Sequence, residues 1–151
     1  MKNYCITHGT GEGNSSLTSF DNALLSSGIA NYNLVKISSI LPADSKECTK
    51  VSLKEGSILH TAYADITSSK VGETISAAIG VAIPKDNDKI GVIMEYAGYC
   101  AKQEAIIKIE SMLQEAMQNR GYSIKEIKTI SSETIVPSNK FATAFAALSI
   151  W

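Results

Sequence analysis

The sequence has little from which to build a metal centre or a disulfide framework. Of its 151 residues three are cysteine, at positions 5, 48 and 100, and two are histidine, at 8 and 60. No Cys-x-x-Cys pair occurs, and an odd, widely spaced trio fits neither a tetrahedral zinc site nor a set of bridges. No metal is expected, and a reduced, cytoplasmic compartment is. An excess of charge of one sign is also lacking: 14 Lys+Arg stand against 15 Asp+Glu, a net charge of −1. That balance argues against the basic face of a nucleic-acid binder. No apolar run approaches the ~18 residues of a membrane span. The opening Met1-Lys2-Asn3-Tyr4-Cys5-Ile6 shows no apolar block followed by a small-residue cleavage site, so no secretory signal is expected. Charged residues make up 19%, below the usual ~25%. Two readings stay open for that deficit, sequence drift or surface hidden in an oligomer.

What is present reads as one domain, 1–151, with no repeat, charge block or long linker. Tyr4 to Thr7 reads as a strand, and Gly9-Thr10-Gly11-Glu12-Gly13-Asn14 as a loop, because clustered glycines cost a regular element backbone entropy. Leu17 to Ser27 carries Phe20, Ala23 and Leu24 at i, i+3, i+4 and ends at Gly28, a helix signature. Asn31 to Ile37 is a strand candidate, and 43–55 reads as a surface excursion. Ser57 to Thr67 and Ile75 to Ile83 are strands, the second apolar on both faces and so covered on both. Pro84 and Asp86-Asn87-Asp88 end it, and Ile90 to Ala97 returns as its hairpin partner. Lys102 to Asn119 is the clearest helix, with Ala105, Ile106, Ile109, Leu113, Ala116 and Met117 on one stripe. Ile124 to Val136 and Phe141 to Ile150 finish the chain as strands. Two helices and about seven strands, mostly consecutive, predict an α+β fold. The expected architecture is a layered sandwich of two mainly antiparallel sheets with flanking helices (αββα).

Several chemical temptations fail on spacing. Gly9-x-Gly11-x-Gly13 lacks the spacing of a dinucleotide fingerprint, and no Gly-Lys-Ser/Thr is present for a phosphate loop. The glycines read better as a place where backbones pass closely. His8 and His60 belong to no patterned triad, and Met112 and Met117 belong to a core stripe. Five Ser-Ser pairs occur, so the dipeptide alone carries no signal. Pair 38–39 differs in context: it ends an apolar strand and runs at once into Ile40-Leu41-Pro42. At such a sharp junction, backbone strain is one way a peptide bond becomes reactive.

The runs Leu17-Thr18-Ser19-Phe20-Asp21-Asn22-Ala23-Leu24-Leu25 and Gly28-Ile29-Ala30-Asn31-Tyr32-Asn33-Leu34-Val35-Lys36-Ile37-Ser38-Ser39-Ile40-Leu41-Pro42 closely resemble the pyruvoyl-dependent arginine decarboxylases. So do Gly72-Glu73-Thr74-Ile75-Ser76-Ala77-Ala78-Ile79, Val81-Ala82-Ile83-Pro84-Lys85-Asp86, Ile93-Met94-Glu95-Tyr96 with Gly98, and Phe141-Ala142-Thr143-Ala144-Phe145-Ala146-Ala147-Leu148. The resemblance runs nearly end to end, in order and spacing. Residues 9–13, at the rim of the expected pocket, depart from it, as does 43–55.

The resemblance implies self-cleavage between Ser38 and Ser39, giving pieces 1–38 (beta chain) and 39–151 (alpha chain). The Ser39 hydroxyl would attack the Ser38 carbonyl carbon and turn the amide into an ester. Loss of the Ser39 α-proton would eliminate the ester to dehydroalanine, and hydrolysis would release ammonia and leave a covalent pyruvoyl group. By the same resemblance Asn33 donates to the oxyanion of that attack, where such a donor is worth about 3 kcal/mol. Read without the family, Asn33 merely ties a neighbouring strand end. The pyruvoyl ketone would form a Schiff base with the amine of L-arginine and draw off the electrons left on Cα, a task ordinary side chains cannot do. Glu95 would return the proton, which calls for an apolar, partly closed site that keeps it protonated. Asp21 would bind the guanidinium through two parallel hydrogen bonds; read alone, it is a solvated acid near a helix N-terminus. The implied product is agmatine, for polyamine synthesis or acid resistance, and the implied assembly a homotrimer of cleaved protomers or a multiple of it. Two further readings stand beside this one: a decarboxylase of another amino acid, and an uncleaved relative serving as a binding or assembly subunit.

Scission at this bond has a direct signature. Intact mass of the purified protein is expected to show pieces 1–38 and 39–151, the second reacting with carbonyl-trapping reagents. Ser39→Ala, which has no nucleophile, is expected to stay whole.

Overall fold

The computed structural model describes residues 2–151. Its elements in chain order are β1 (Asn3–Gly13), α1 (Ser16–Ser27), β2 (Asn33–Lys36), β3 (Ile40–Leu41), β4 (Lys46–Glu47), β5 (Ile58–Ser68), β6 (Thr74–Pro84), β7 (Gly91–Gly98), α2 (Lys102–Asn119), β8 (Ile124–Ile135) and β9 (Phe141–Ile150). One sheet has the order β2-β5-β9-β1-β4 and the other β3-β7-β6-β8. Among the described residues only β1 with β4 and β2 with β5 pair in parallel. The inner faces enclose a core that includes Ala62, Ile75, Ile79, Ile93, Ala144 and Leu148. Helix α1 covers the outside of the first sheet around Leu59 and Phe145, and α2 the outside of the second around Ala78 and Val92. The αββα sandwich is therefore observed, and β6 is buried on both faces as its composition requires.

Local signals account for both helices, with one exception. Ser15 caps α1 by accepting from the Thr18 N–H at 3.1 Å, the Thr18 hydroxyl accepts in return from the Ser15 N–H, and Gly28 closes the helix at φ 80°. Helix α2 starts at Ala101 with no side-chain cap of its own. A distant residue takes that place: Glu133 Oε2 on β8 accepts from the Lys102 N–H at 2.7 Å.

The glycine segment departs from the expected loop. Strand β1 continues to Gly13, paired with β9 as far as Phe141. The reason is the spacing of two, which puts Gly9, Gly11 and Gly13 on one face of the strand. Helix α1 lies against that face so closely that a Cβ on Gly9 would sit 2.5 Å from the Ala23 carbonyl oxygen, and one on Gly13 2.5 Å from the Ser19 nitrogen. At Gly11 the gap to the Ala23 nitrogen is narrower still. The backbone entropy these glycines lose is offset by burial of a helix that no larger residue would admit. The Asn31–Ile37 candidate is also shorter than expected, four residues, although the Ile37 N–H still donates to the Thr61 carbonyl at 3.2 Å.

This packing makes a sharp stability prediction. Gly11→Ala forces a Cβ into helix backbone and is expected to cost about 1–3 kcal/mol or more, a fall in thermal midpoint of roughly 2–10 °C. Thr10→Ala, on the opposite face of the strand, is expected to move the midpoint little.

Candidate active site

The site grows out of a forced crossing. β2 belongs to one sheet and β3 to the other, so residues 37–39 must carry the chain between them. Both ends of the crossing are tied: the Ile37 N–H donates to Thr61, and the Ser39 carbonyl accepts from the Ile93 N–H at 2.9 Å. Within those ties Ser39 takes a left-handed backbone, φ 55°. Among the described residues the other non-glycine positions with positive φ are Asp44 and Asn139, types that tolerate this region. Serine tolerates it less well, at a cost of order 1–3 kcal/mol.

That strain has a specific geometric consequence. Attack of Ser39 Oγ on the Ser38 carbonyl carbon closes a five-membered ring through the Ser39 N, Cα and Cβ. With the negative φ of ordinary strand or helix, Cβ is turned away from that carbon and the ring cannot close. A positive φ swings Cβ into a gauche relation with it and brings the hydroxyl within reach. Beside this bond lies a small, mainly apolar cleft formed by Ile37, Ser38, Ile40, Pro42, His60 and Ile150.

Glu95 approaches from β7, two residues beyond the Ile93 that holds Ser39. Ile93 packs in the inter-sheet core while Met94 packs toward α2, so Glu95 shares the face of Ile93 and not that of Met94. Its side chain is 28% exposed, with Oε1 3.4 Å from Lys36 Nζ. Oε2 is buried and, among the described residues, has no hydrogen-bond partner. The surround is thus part apolar and part cationic. Lys36 in turn lies over the Tyr63 ring, 4.5 Å from its centroid. Tyr63 packs on Phe145 at 5.5 Å and on Phe20 of α1 at 6.4 Å. Burial pushes the nearby Asp65 carboxyl above the usual carboxylate range, and the Lys36 ammonium pulls it partly back. From Ala62 to Ser68 β5 pairs with β9 alone, so this side of the sandwich is open.

Within one chain Glu95 lies on the strand that ties Ser39, two residues beyond Ile93, and the other expected residues lie apart. Asn33 precedes Ser38 by a nearly extended run, a separation on the order of 10–15 Å. Its amide donates to the Gly56 carbonyl at 2.7 Å. Asp21 is exposed on α1, next to the Phe20 that reaches Tyr63, and makes no ion pair among the described residues. His8 lies in a separate groove with Lys102 and Glu133. Lys36, Tyr63 and His60 are neighbours of the site that no sequence spacing marks, because each comes from a different strand position.

Comparison with known proteins follows the same lines. The family model for "Pyruvoyl-dependent arginine decarboxylase (PvlArgDC)" matches residues 3–151. The chain belongs to this family. It is 44% identical to the pyruvoyl-dependent arginine decarboxylase of Methanocaldococcus jannaschii over 146 residues, 97% of this chain and 87% of the relative. To that of Pyrococcus abyssi it is 46% identical over 139 residues, 91% and 87% of the two chains. A solved pyruvoyl-dependent histidine decarboxylase shares the fold, with a TM-score of 0.53 at 14% identity, covering 68% of this chain and 54% of that one. A pyruvoyl-dependent enzyme of this family carries a covalently bound pyruvoyl group.

A buried oxygen with no partner costs stability. Glu95→Met in the uncut Ser39→Ala protein is therefore expected to raise the thermal midpoint by roughly 2–4 °C, read by calorimetry.

Proposed function

We propose that the protein converts L-arginine to agmatine and CO2, using a pyruvoyl group made from Ser39 by scission of the Ser38–Ser39 bond. The observation that carries this reading is the left-handed Ser39, φ 55°, tied at a crossing to the strand that carries Glu95. In the scission, Ser39 Oγ bonds to the Ser38 carbonyl carbon and the C–N bond breaks, leaving an ester and a free amine. Removal of the Ser39 α-proton expels Ser38 as a carboxylate, and water then replaces the nitrogen, which leaves as ammonia.

The pyruvoyl group supplies the electron sink for decarboxylation. The chain's own residues bind the substrate, orient it and move protons. Glu95 returns a proton to the substrate Cα from its buried side of the site, and the apolar cleft beside Ser38 limits access of water. Asp21 receives the guanidinium, whose fork of N–H donors matches a carboxylate. Because Asp21 and Asn33 stand away from Ser39 within one chain, we assign their roles to sites shared between neighbouring copies in a homotrimer. The open side of β5 next to Glu95 supports a site completed by a second subunit. The cytoplasm suits a chain whose three cysteines are free.

Asp21→Asn is expected to leave scission intact and raise the Michaelis constant for arginine about 10- to 100-fold, the loss of a charged hydrogen-bonded pair. At arginine concentrations far below the Michaelis constant of Asp21→Asn, co-assembled Asp21→Asn and Glu95→Gln subunits are expected to exceed the activity of either alone, measured as agmatine formed. An unchanged Michaelis constant removes Asp21 as the guanidinium partner, and no such excess removes the shared site.

A further inference from the structure

Glu95 has two carboxyl oxygens in unlike surroundings, one toward a cation and the other buried. Oε1 meets Lys36 Nζ at 3.4 Å, whereas Oε2 is buried without a partner. Without the ammonium, no side chain among the described residues would hold Oε1 in place. Lys36 is itself restrained. Its backbone is laddered to β5 opposite Thr61, and its ammonium sits 4.5 Å from the Tyr63 ring centroid, a favourable place for a cation. Asp65, two residues on along β5, adds its own attraction to the same ammonium.

Ion pairs with half-exposed lysines usually contribute little to stability, and the Lys36 side chain is 52% exposed. The geometry points to a different task. We propose that Lys36 is a positioning residue for decarboxylation: its ammonium pins Oε1 of Glu95, so that Oε2 is the oxygen that holds the proton and delivers it to the substrate Cα. The assignment rests on the role of Glu95 proposed above. It also joins the two pieces of the processed enzyme, because Lys36 lies in 1–38 and Glu95 in 39–151.

The test has an equilibrium arm and a kinetic arm. In the uncut Ser39→Ala protein, thermal midpoints are measured for Lys36→Met, Glu95→Gln and the double variant. Coupling through the pair predicts shifts that do not add. In the processable protein, Lys36→Met is expected to yield pieces 1–38 and 39–151 like the parent by intact mass. Its Michaelis constant should stay within about twofold while kcat falls roughly 10- to 100-fold, the scale of a misplaced reacting group. Lys36→Arg, which keeps a cation in place, should recover kcat severalfold over Lys36→Met. Additive midpoints, an undiminished kcat in Lys36→Met, or failure of that variant to cut itself each overturn the proposal. Glu95→Gln separates the two levels. If it retains the parent kcat, the role of Glu95 falls and this inference with it; if it is impaired while Lys36→Met is not, only this inference falls.

Discussion

The site depends on a backbone that cannot relax. Between β2 and β3 the chain has three residues in which to leave one sheet and enter the other, and hydrogen bonds to Thr61 and from Ile93 hold both ends. Ser39 takes the positive φ this crossing demands. A strain of order 1–3 kcal/mol persists only where the surroundings over-determine it. Here two sheets do so, through ladders that run the length of a buried sandwich.

That sandwich is built to be close-fitting. Alanines 62, 64, 77, 142, 144 and 146 line the space between the sheets, and glycines let α1 lie directly on β1. Small residues bring the layers near one another and leave few degrees of freedom for the segment that crosses them. A group of charged and aromatic side chains gathers on one side, where β2 ends and β5 has an unpaired edge. Glu95, Lys36, Tyr63 and Asp65 meet there, and Glu95 keeps an oxygen with no partner. In the role proposed for Glu95, the stability lost on that oxygen is exchanged for chemistry.

Much of this was readable in the residues. The stripe on α2 located it to the residue, and the two-faced apolar character of β6 required a cover on each side. The cap at Gly28 and the hairpin of β6 with β7 followed from local chemistry. The glycine segment was misjudged because clustered glycines favour a loop only when nothing rewards their extended form; the reward, contact with α1, is tertiary. The start of α2 was legible without its cap, since Glu133 arrives from 31 residues away. Ser38, Ser39, Glu95, Asn33 and Asp21 drew attention through a resemblance; in the single chain Glu95 lies on the strand that ties Ser39, while Asn33 and Asp21 lie apart.

Periodicity, caps and the order of motifs lie in short stretches of chain, and from them the sequence alone determined the two helices, most strands, the αββα class and the family. Distances between strands are not encoded in any local pattern. The conformation of Ser39, the face from which Glu95 approaches, and the reach of Lys36 across to it were decided by tertiary structure, because each depends on where two sheets meet.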